Sequence, residues 1–191
     1  MTRRENTRTR RARAAREERA RILLLCGAEV TEPSYFRGLK QRYRHPAVNV
    51  VRKGGKDPVS LIRLAAKLRE QDECDETWCV IDVDEYNIDA AFSEAQRLDV
   101  KLAVSNPCFE YWLLLHFERC EAPLPCFQDV EPRLRQQVRG YNKKSLNFSD
   151  YAAGVTDAVD RAKHRCGDIT RAHQVNPSTG VWALVERIST S

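Results

Sequence analysis

Four short apolar runs constrain this chain more than any other feature. They are "RILLLCG" (21–27), "AVNVV" (47–51), "TWCVIDVD" (77–84) and "KLAVS" (101–105). A brief, continuous apolar run is the pattern of a strand buried on both faces. Helix signals fall between the runs. In "AEVTEPSYFRGLKQRY" Thr31 can cap, Pro33 suits a first turn, and Phe36, Leu39 and Tyr43 share a face. "DPVSLIRLAAKLREQ" opens with Asp57 as cap and Pro58 at its start, "NIDAAFSEAQRL" is helical, and "NPCFEYWLLLHFE" has Asn106 as cap and Pro107 in the first helical position. Strands alternate with helices without a hairpin signal. That predicts a parallel α/β sheet of about four strands flanked by helices, with right-handed crossovers.

Beyond residue 118 no clear strand is evident. Residues 128–139 and 151–165 read as helices separated by "GYNKKSLNFSDY", and "NPSTGVWALVERI" repeats the Asn-Pro helix opening. The predicted organisation is a tail over 1–20, an α/β core over about 21–118 and a mostly helical extension over 119–191, the last two forming one domain.

Charge is unevenly placed. The net charge of +5 comes from residues 1–21, where nine arginines face three glutamates. The rest of the chain is close to neutral. The tail has no apolar face, so it is disordered alone or helical on a partner. It reads as a solubilising leader or as a phosphate binder acting through counterion release. Seven scattered cysteines with no CxxC fit a reduced compartment, and Cys26, Cys79 and Cys108 sit in apolar runs as small core residues. No secretory signal or bilayer-spanning run is evident, and "YWLLLHF" is too short to cross. A soluble, cytoplasmic protein is expected.

In open parallel sheets ligands bind beyond the carboxyl ends of the strands. Three acid-bearing stretches fall there: "CGAEVTE", "DVDE" and "SNPCFE". Asp82 and Asp84 are two apart, so on an extended segment they point to one side, where they repel and raise each other's pKa. A hard cation such as Mg²⁺ relieves this, and Glu29 or Glu32 could complete the cluster. Such a site suits phosphodiester cleavage. The plainer reading is a solvated turn in which Asp84 or Glu85 caps the next helix. "RKGGKDP", with Lys53 and Lys56, could receive a phosphate on its amides or be a flexible loop before a helix cap. Glu110 in a first helical turn suits the macrodipole and could also face the acids. His116 reads as a satisfied core histidine, and Tyr111, Trp112, Leu115 and Phe117 as packing. "GYNKKSLNF" interleaves Tyr141 and Phe148 with Lys143 and Lys144, either to hold a nucleic-acid backbone and stack bases or as an exposed loop.

Taken together, "ILLLCGAEVTEPSYFRGLK", "KDPVSLIRLA", "WCVIDVDE", "SNPCFEYWLLLHFE", "YNKK" and "NPSTGVWALVE" resemble the RloB family in order, over about residues 21–188. The resemblance implies a prokaryotic protein linked to restriction loci and to abortive infection systems such as AbiL, often encoded beside an ATPase. It implies a Toprim-like (Rossmannoid) core, similar to that of topoisomerases, primases and the OLD nucleases. Such sites use a glutamate after the first strand and an Asp-x-Asp after the third, with Mg²⁺. Asp82 and Asp84 match the Asp-x-Asp. The family pattern is typically "CEGExTEP", whereas this chain reads "CGAEVTEP", so Gly27 stands where the first acid would be and Glu29 and Glu32 match the later ones.

The expectation is a Mg²⁺- (or Mn²⁺-) dependent nuclease of DNA or RNA, tRNA included, in phage defence. Glu29, Asp82 and Asp84 would be catalytic, and the same three with Glu32 would hold the metal. Lys53, Lys56, Tyr141, Lys143 and Lys144 would meet nucleic acid, with Asn106 and Glu110 in support. The Gly27 departure motivates the alternative: a catalytically impaired nucleic-acid-binding or sensor subunit that partners an ATPase.

Overall fold

The computed structural model describes residues 20–52, 57–83 and 88–190. The expectations for the tail up to residue 19 and for Lys53, Lys56, Asp84 and Glu85 lie outside the described residues. All four apolar runs are strands: β1 (Ile22–Cys26), β2 (Val48–Arg52), β3 (Glu76–Asp82) and β4 (Lys101–Asn106). They run parallel in the order β2-β1-β3-β4. β1 is wholly buried, as a continuous apolar run requires, because helices cover both faces of the sheet. These are α1 (Thr31–Arg42), α2 (Pro58–Asp72), α3 (Ile88–Arg97), α4 (Phe109–Leu114), α5 (Phe127–Gln137), α6 (Val155–Arg165) and α7 (Val181–Ser189).

The strand period of two divides the apolar side chains between two cores. Ile22, Leu24, Cys26, Trp78 and Val80 join Phe36 of α1, Trp112 of α4, Leu134 of α5 and Val185 of α7. Leu23, Leu25, Cys79 and Ile81 join Leu61 and Ile62 of α2 and Ala91 of α3. Each fully buried Leu or Ile contributes up to about 1.5–3 kcal/mol. Asp82 continues the row of Trp78 and Val80, toward the face that carries α1, α4 and the C-terminal helices. From β1 the chain moves to β2 on one side, and β3 lies on the other. That leaves a crevice beyond the carboxyl ends of β1 and β3, where open α/β sheets bind ligands.

Several local expectations hold. Asp57 caps α2, accepting from the Ser60 amide at 3.0 Å, and Pro58 begins the helix. His116 is buried, with Nε2 3.0 Å from the Tyr35 hydroxyl and Nδ1 3.0 Å from the Trp112 carbonyl. Burial pushes its pKa down to about 4. Tyr111, Trp112 and Leu115 are core residues, and Phe117 packs against them. Cys26, Cys79 and Cys108 are buried free thiols. No described helix is long and apolar enough to cross a membrane.

Three expectations are corrected. First, the C-terminal part contributes a strand, β5 (Ser178–Thr179), antiparallel to Ser105–Asn106 of β4. It covers the edge that β4 would otherwise leave open. The second Asn-Pro therefore does not open a helix; α7 starts at Val181 with Gly180 as N-cap. Secondly, Asn106 ends β4, and Cys108 is the N-cap of α4. The asparagine amides are engaged elsewhere. Asn176 Nδ2 donates to Asn106 Oδ1 at 2.9 Å and to the Leu124 carbonyl at 2.8 Å, while Asn106 Nδ2 donates to the His173 carbonyl at 2.9 Å. Both Asn-Pro peptide bonds are cis. Thirdly, Thr31 is the first residue of α1 and not its cap, which is Val30; its hydroxyl has a tertiary partner.

Candidate functional site

The turn after β1 is set by close strand packing. The Gly27 amide donates to the Val80 carbonyl of β3 at 3.1 Å. A Cβ at this position would stand 3.3 Å from that same oxygen, so a side chain here would need the strands to give slightly. The chain then folds back, and the Ala28 amide donates to Glu32 Oε2 at 3.0 Å. Glu32, in the first turn of α1, is only 1% exposed. Burial pushes its pKa up to about 8; the Ala28 and Gly27 amides and Lys143 oppose that rise, and Glu110 reinforces it.

Asp82 ends β3 opposite Ser105 of β4, and the Val83 amide donates to the Ser105 carbonyl at 2.8 Å. Its charge is felt by Lys143 and by the thiol of Cys108. Across from it, Glu110 lies in the first turn of α4 and is 1% exposed. Its Oε1 accepts from the Tyr141 hydroxyl at 3.0 Å and pairs with Lys143 Nζ at 3.3 Å. Its Oε2 is buried without a hydrogen-bond partner among the described residues.

Lys143 joins these pieces. Its carbonyl accepts from the Thr31 hydroxyl at 2.9 Å, which fastens the 141–143 segment to the start of α1. Its ammonium lies 4.5 Å from the centroid of the Phe127 ring, a cation–π distance, and its side chain is half-exposed. Partial burial lowers its pKa, but the Glu110 carboxylate and, less strongly, Asp82 outweigh this and raise it. Burial and Glu110 together raise the Tyr141 phenol, and burial, Glu110 and Asp82 raise the Cys108 thiol. Both groups stay protonated, so Cys108 is not a nucleophile here.

Thus Glu32, Asp82, Glu110 and Lys143, from four separate stretches, are electrostatic neighbours. Glu29 is exposed, and Lys144 is exposed beside Lys143. Tyr141 is buried, so its contribution is the hydroxyl on Glu110 and not an open ring face. Asn106 holds loops together. One signal for Glu110 was present in the sequence: an acid inside the apolar stretch "CFEYWLLL" needs a partner or a ligand. Nothing local marked Tyr141 as that partner.

Among the described residues no three acid, histidine or cysteine side chains stand at metal-ligand spacing, and Asp84 is outside them. Carboxylate oxygen is the donor type a hard cation takes, but the described acids do not by themselves form a group that could hold one. All the available ligand atoms are carboxylate oxygens, and one of them, Glu110 Oε2, is buried with no hydrogen bond among the described residues. Chemically, the arrangement can offer the half-exposed Lys143 ammonium to an anionic ligand.

A family model described as RloB-like protein matches residues 22–188. No curated protein and no solved structure matches the chain.

Proposed function

The chain belongs to the RloB-like family, and on that premise we propose that it is a Mg²⁺- or Mn²⁺-dependent nuclease with a Toprim-like site, acting in prokaryotic defence. The observation that carries this reading is the pair of buried carboxylates Glu32 and Glu110 near the half-buried Asp82 at the end of β3, with the Lys143 ammonium 3.3 Å from Glu110. A purely structural buried acid is normally matched by donors on both oxygens, and Glu110 Oε2 is buried with no hydrogen bond among the described residues.

Asp82, Asp84 and Glu32 are the ligands in this reading, with Glu32 preferred to the exposed Glu29 as the third acid. When bound, the metal supplies a more acidic water and neutralises charge on a phosphodiester. Asp82, at the end of β3, and Glu32, in the first turn of α1, would hold it, and Lys143, with Lys144 beside it, would meet phosphate oxygens. The test is cleavage of DNA, RNA and tRNA with Mg²⁺ or Mn²⁺. Asp82→Ala/Asp84→Ala is expected to abolish cleavage while leaving the fold intact. Cleavage unchanged in the double variant would remove the pair from the mechanism.

One observation favours a second reading. The position after β1 is a glycine packed close to Val80, where the family resemblance calls for an acid. A chain without that acid can serve as a nucleic-acid-binding or sensor subunit beside an ATPase. This reading predicts salt-sensitive binding without cleavage, largely lost when residues 1–20 are deleted.

A further inference from the structure

We propose that α1 and the 143–148 segment beside it form a track for the phosphodiester backbone of a nucleic acid, with Arg37, Arg42 and Lys144 on its phosphates. The inference rests on the nucleic-acid reading above and names the surface that carries it.

The first observation is unpaired charge. α1 holds three bases, Arg37, Lys40 and Arg42, and its one acid, Glu32, is buried. Other helices are built differently. Arg63 of α2 stands 2.6 Å from Glu94 of α3, and Arg187 of α7 stands 2.6 Å from Glu76. Arg135 pairs with Glu131 within α5 at 2.7 Å, and Arg161 with Asp157 within α6 at 3.5 Å. By contrast Arg37, Arg42 and Lys144 are exposed and make no ion pair among the described residues. Arg42 lies 5.8 Å from the centroid of the Tyr43 ring, and Lys40 donates to the Val48 carbonyl at 2.5 Å. Neither contact neutralises a charge. The helix macrodipole accounts for the two bases of the last turn. It does not account for Arg37 in mid-helix or for Lys144 on a separate segment.

The second is alignment. At the start of α1 the Thr31 hydroxyl donates to the Lys143 carbonyl at 2.9 Å. Seven residues on, a Cβ at Gly38 would collide with the Phe148 side chain, and the Phe148 ring lies 5.2 Å from that of Tyr35. Residues seven apart share one stripe of a helix, so the 143–148 segment follows that stripe. Arg42, four residues beyond Gly38, continues it. Lys144 and Arg42 therefore mark the two ends of one line, with Arg37 on the helix between them. The twelve residues of α1 extend about 18 Å, roughly five nucleotides at 3.4 Å per strand.

The third is where the line leads. Lys143, next to Lys144, places its ammonium 3.3 Å from Glu110 in the candidate site. Positive charge thus runs from that site along the flank of the molecule. Contacts to the backbone on either side of a reacting linkage position a nucleic acid, and guanidinium forks suit phosphate oxygens. An acidic protein would match the charge as well. The exposed residues of α1 are Arg37, Gln41 and Arg42, with none of the apolar or aromatic anchors on which protein interfaces centre. That favours nucleic acid.

The test is binding of the full chain to a labelled single-stranded RNA and to its DNA counterpart, by fluorescence anisotropy without divalent metal, over a series of salt concentrations. Arg37→Gln/Arg42→Gln is expected to weaken binding at least about ten-fold near 0.1 M salt. It should also flatten the logarithmic salt slope by about 1.4, or about 0.7 for each single-strand phosphate contact removed. The arginines of residues 1–21 are common to both proteins and cancel in the difference. Lys67→Gln, at an exposed base of α2 across the sheet, is the control and should keep wild-type affinity and slope. Wild-type affinity and slope in the double variant overturn the track and leave the nuclease reading standing. Weakened binding in the double variant, with no cleavage by the wild type in Mg²⁺ or Mn²⁺, keeps the track and removes the nuclease reading. No binding of either nucleic acid by the wild type overturns both. Equally tight binding of polyglutamate, lost in the same variant, assigns the surface to an acidic protein and overturns the nucleic-acid assignment. Should the double variant fail to fold, amine-reactive footprinting of the wild type decides. Shielding of Lys144 by bound RNA or DNA supports the track, and equal labelling with and without nucleic acid rejects it.

Discussion

Strand β3 carries a carboxylate at each end, and their surroundings differ. At its start, Glu76 accepts from Arg187 Nε at 2.6 Å, from Lys101 Nζ at 2.9 Å and from Trp78 Nε1 at 3.3 Å. Burial would raise its pKa, but these three donors outweigh it and lower it. Near its end, Lys143 pairs with Glu110 at 3.3 Å and feels the charge of Asp82, while Glu32 has its pKa pushed up. Glu76 has donors on both oxygens, whereas Glu110 Oε2 has none among the described residues. Paired charge ties α7 to the sheet. Underpaired charge destabilises the fold and is retained where a ligand can offset it.

The sharpest way to break this comparison is Glu76→Ala. It removes the carboxylate that Arg187 and Lys101 share and is expected to cost about 3 kcal/mol in denaturant unfolding, the low end for a pair that is not wholly enclosed. A loss below about 0.5 kcal/mol would remove the structural role assigned to that end. Acid titration gives the next effect. His116 has a folded pKa of about 4 against an ordinary value of 6.5. Its contribution is complete above pH 6.5 and is lost as pH falls toward 4, in all up to about 3 kcal/mol. His116→Gln should flatten that part of the stability profile.

Glu32 should respond with the opposite sign. Its folded pKa lies above the ordinary glutamate value, at about 8, so its protonated form is favoured by folding. That contribution is complete below about pH 4.5 and is lost as pH rises through 8. Without divalent metal, Glu32→Gln is therefore expected to raise the thermal midpoint at pH 9 more than at pH 5, by the equivalent of about 1–2 kcal/mol. A destabilised Glu32→Gln at pH 9 would place this acid with Glu76 among the structural ones. The smallest effect is that of Thr31→Val, which removes the bond to the Lys143 carbonyl. It should cost about 1 kcal/mol and speed amide exchange in residues 142–146 before any change in global stability.

The sheet was legible in the sequence because a strand buried on both faces leaves a mark in composition. "RILLLCG" can be little else. The start of α2 was equally plain, since Asp57 and Pro58 act on their own helix. β5 was not legible, because two residues carry no periodicity. The Asn-Pro pairs imitate a helix opening, but Asn106 and Asn176 bond to each other across the fold, and such pairing is invisible along the chain. Strand order placed Asp82 at the carboxyl end of β3, where it lies. Which of Glu29 and Glu32 is buried could not be read, because it depends on how the turn after Gly27 folds back to bring the Ala28 amide to Glu32. The Tyr141 bond to Glu110 joins residues on either side of the predicted boundary near 118.

The Thr31–Lys143 bond has a consequence for the order of synthesis. The acids at 32, 82 and 110 leave the ribosome well before the lysine that neutralises them and before the strand and helix that close the sheet edge. A nascent chain that has reached residue 118 holds the carboxylates without their cation, without the Tyr141 hydroxyl and without β5. Because domains fold as units during translation, the candidate centre comes into being only with the finished polypeptide. An amino-terminal fragment released early would carry its ligands but not its arrangement.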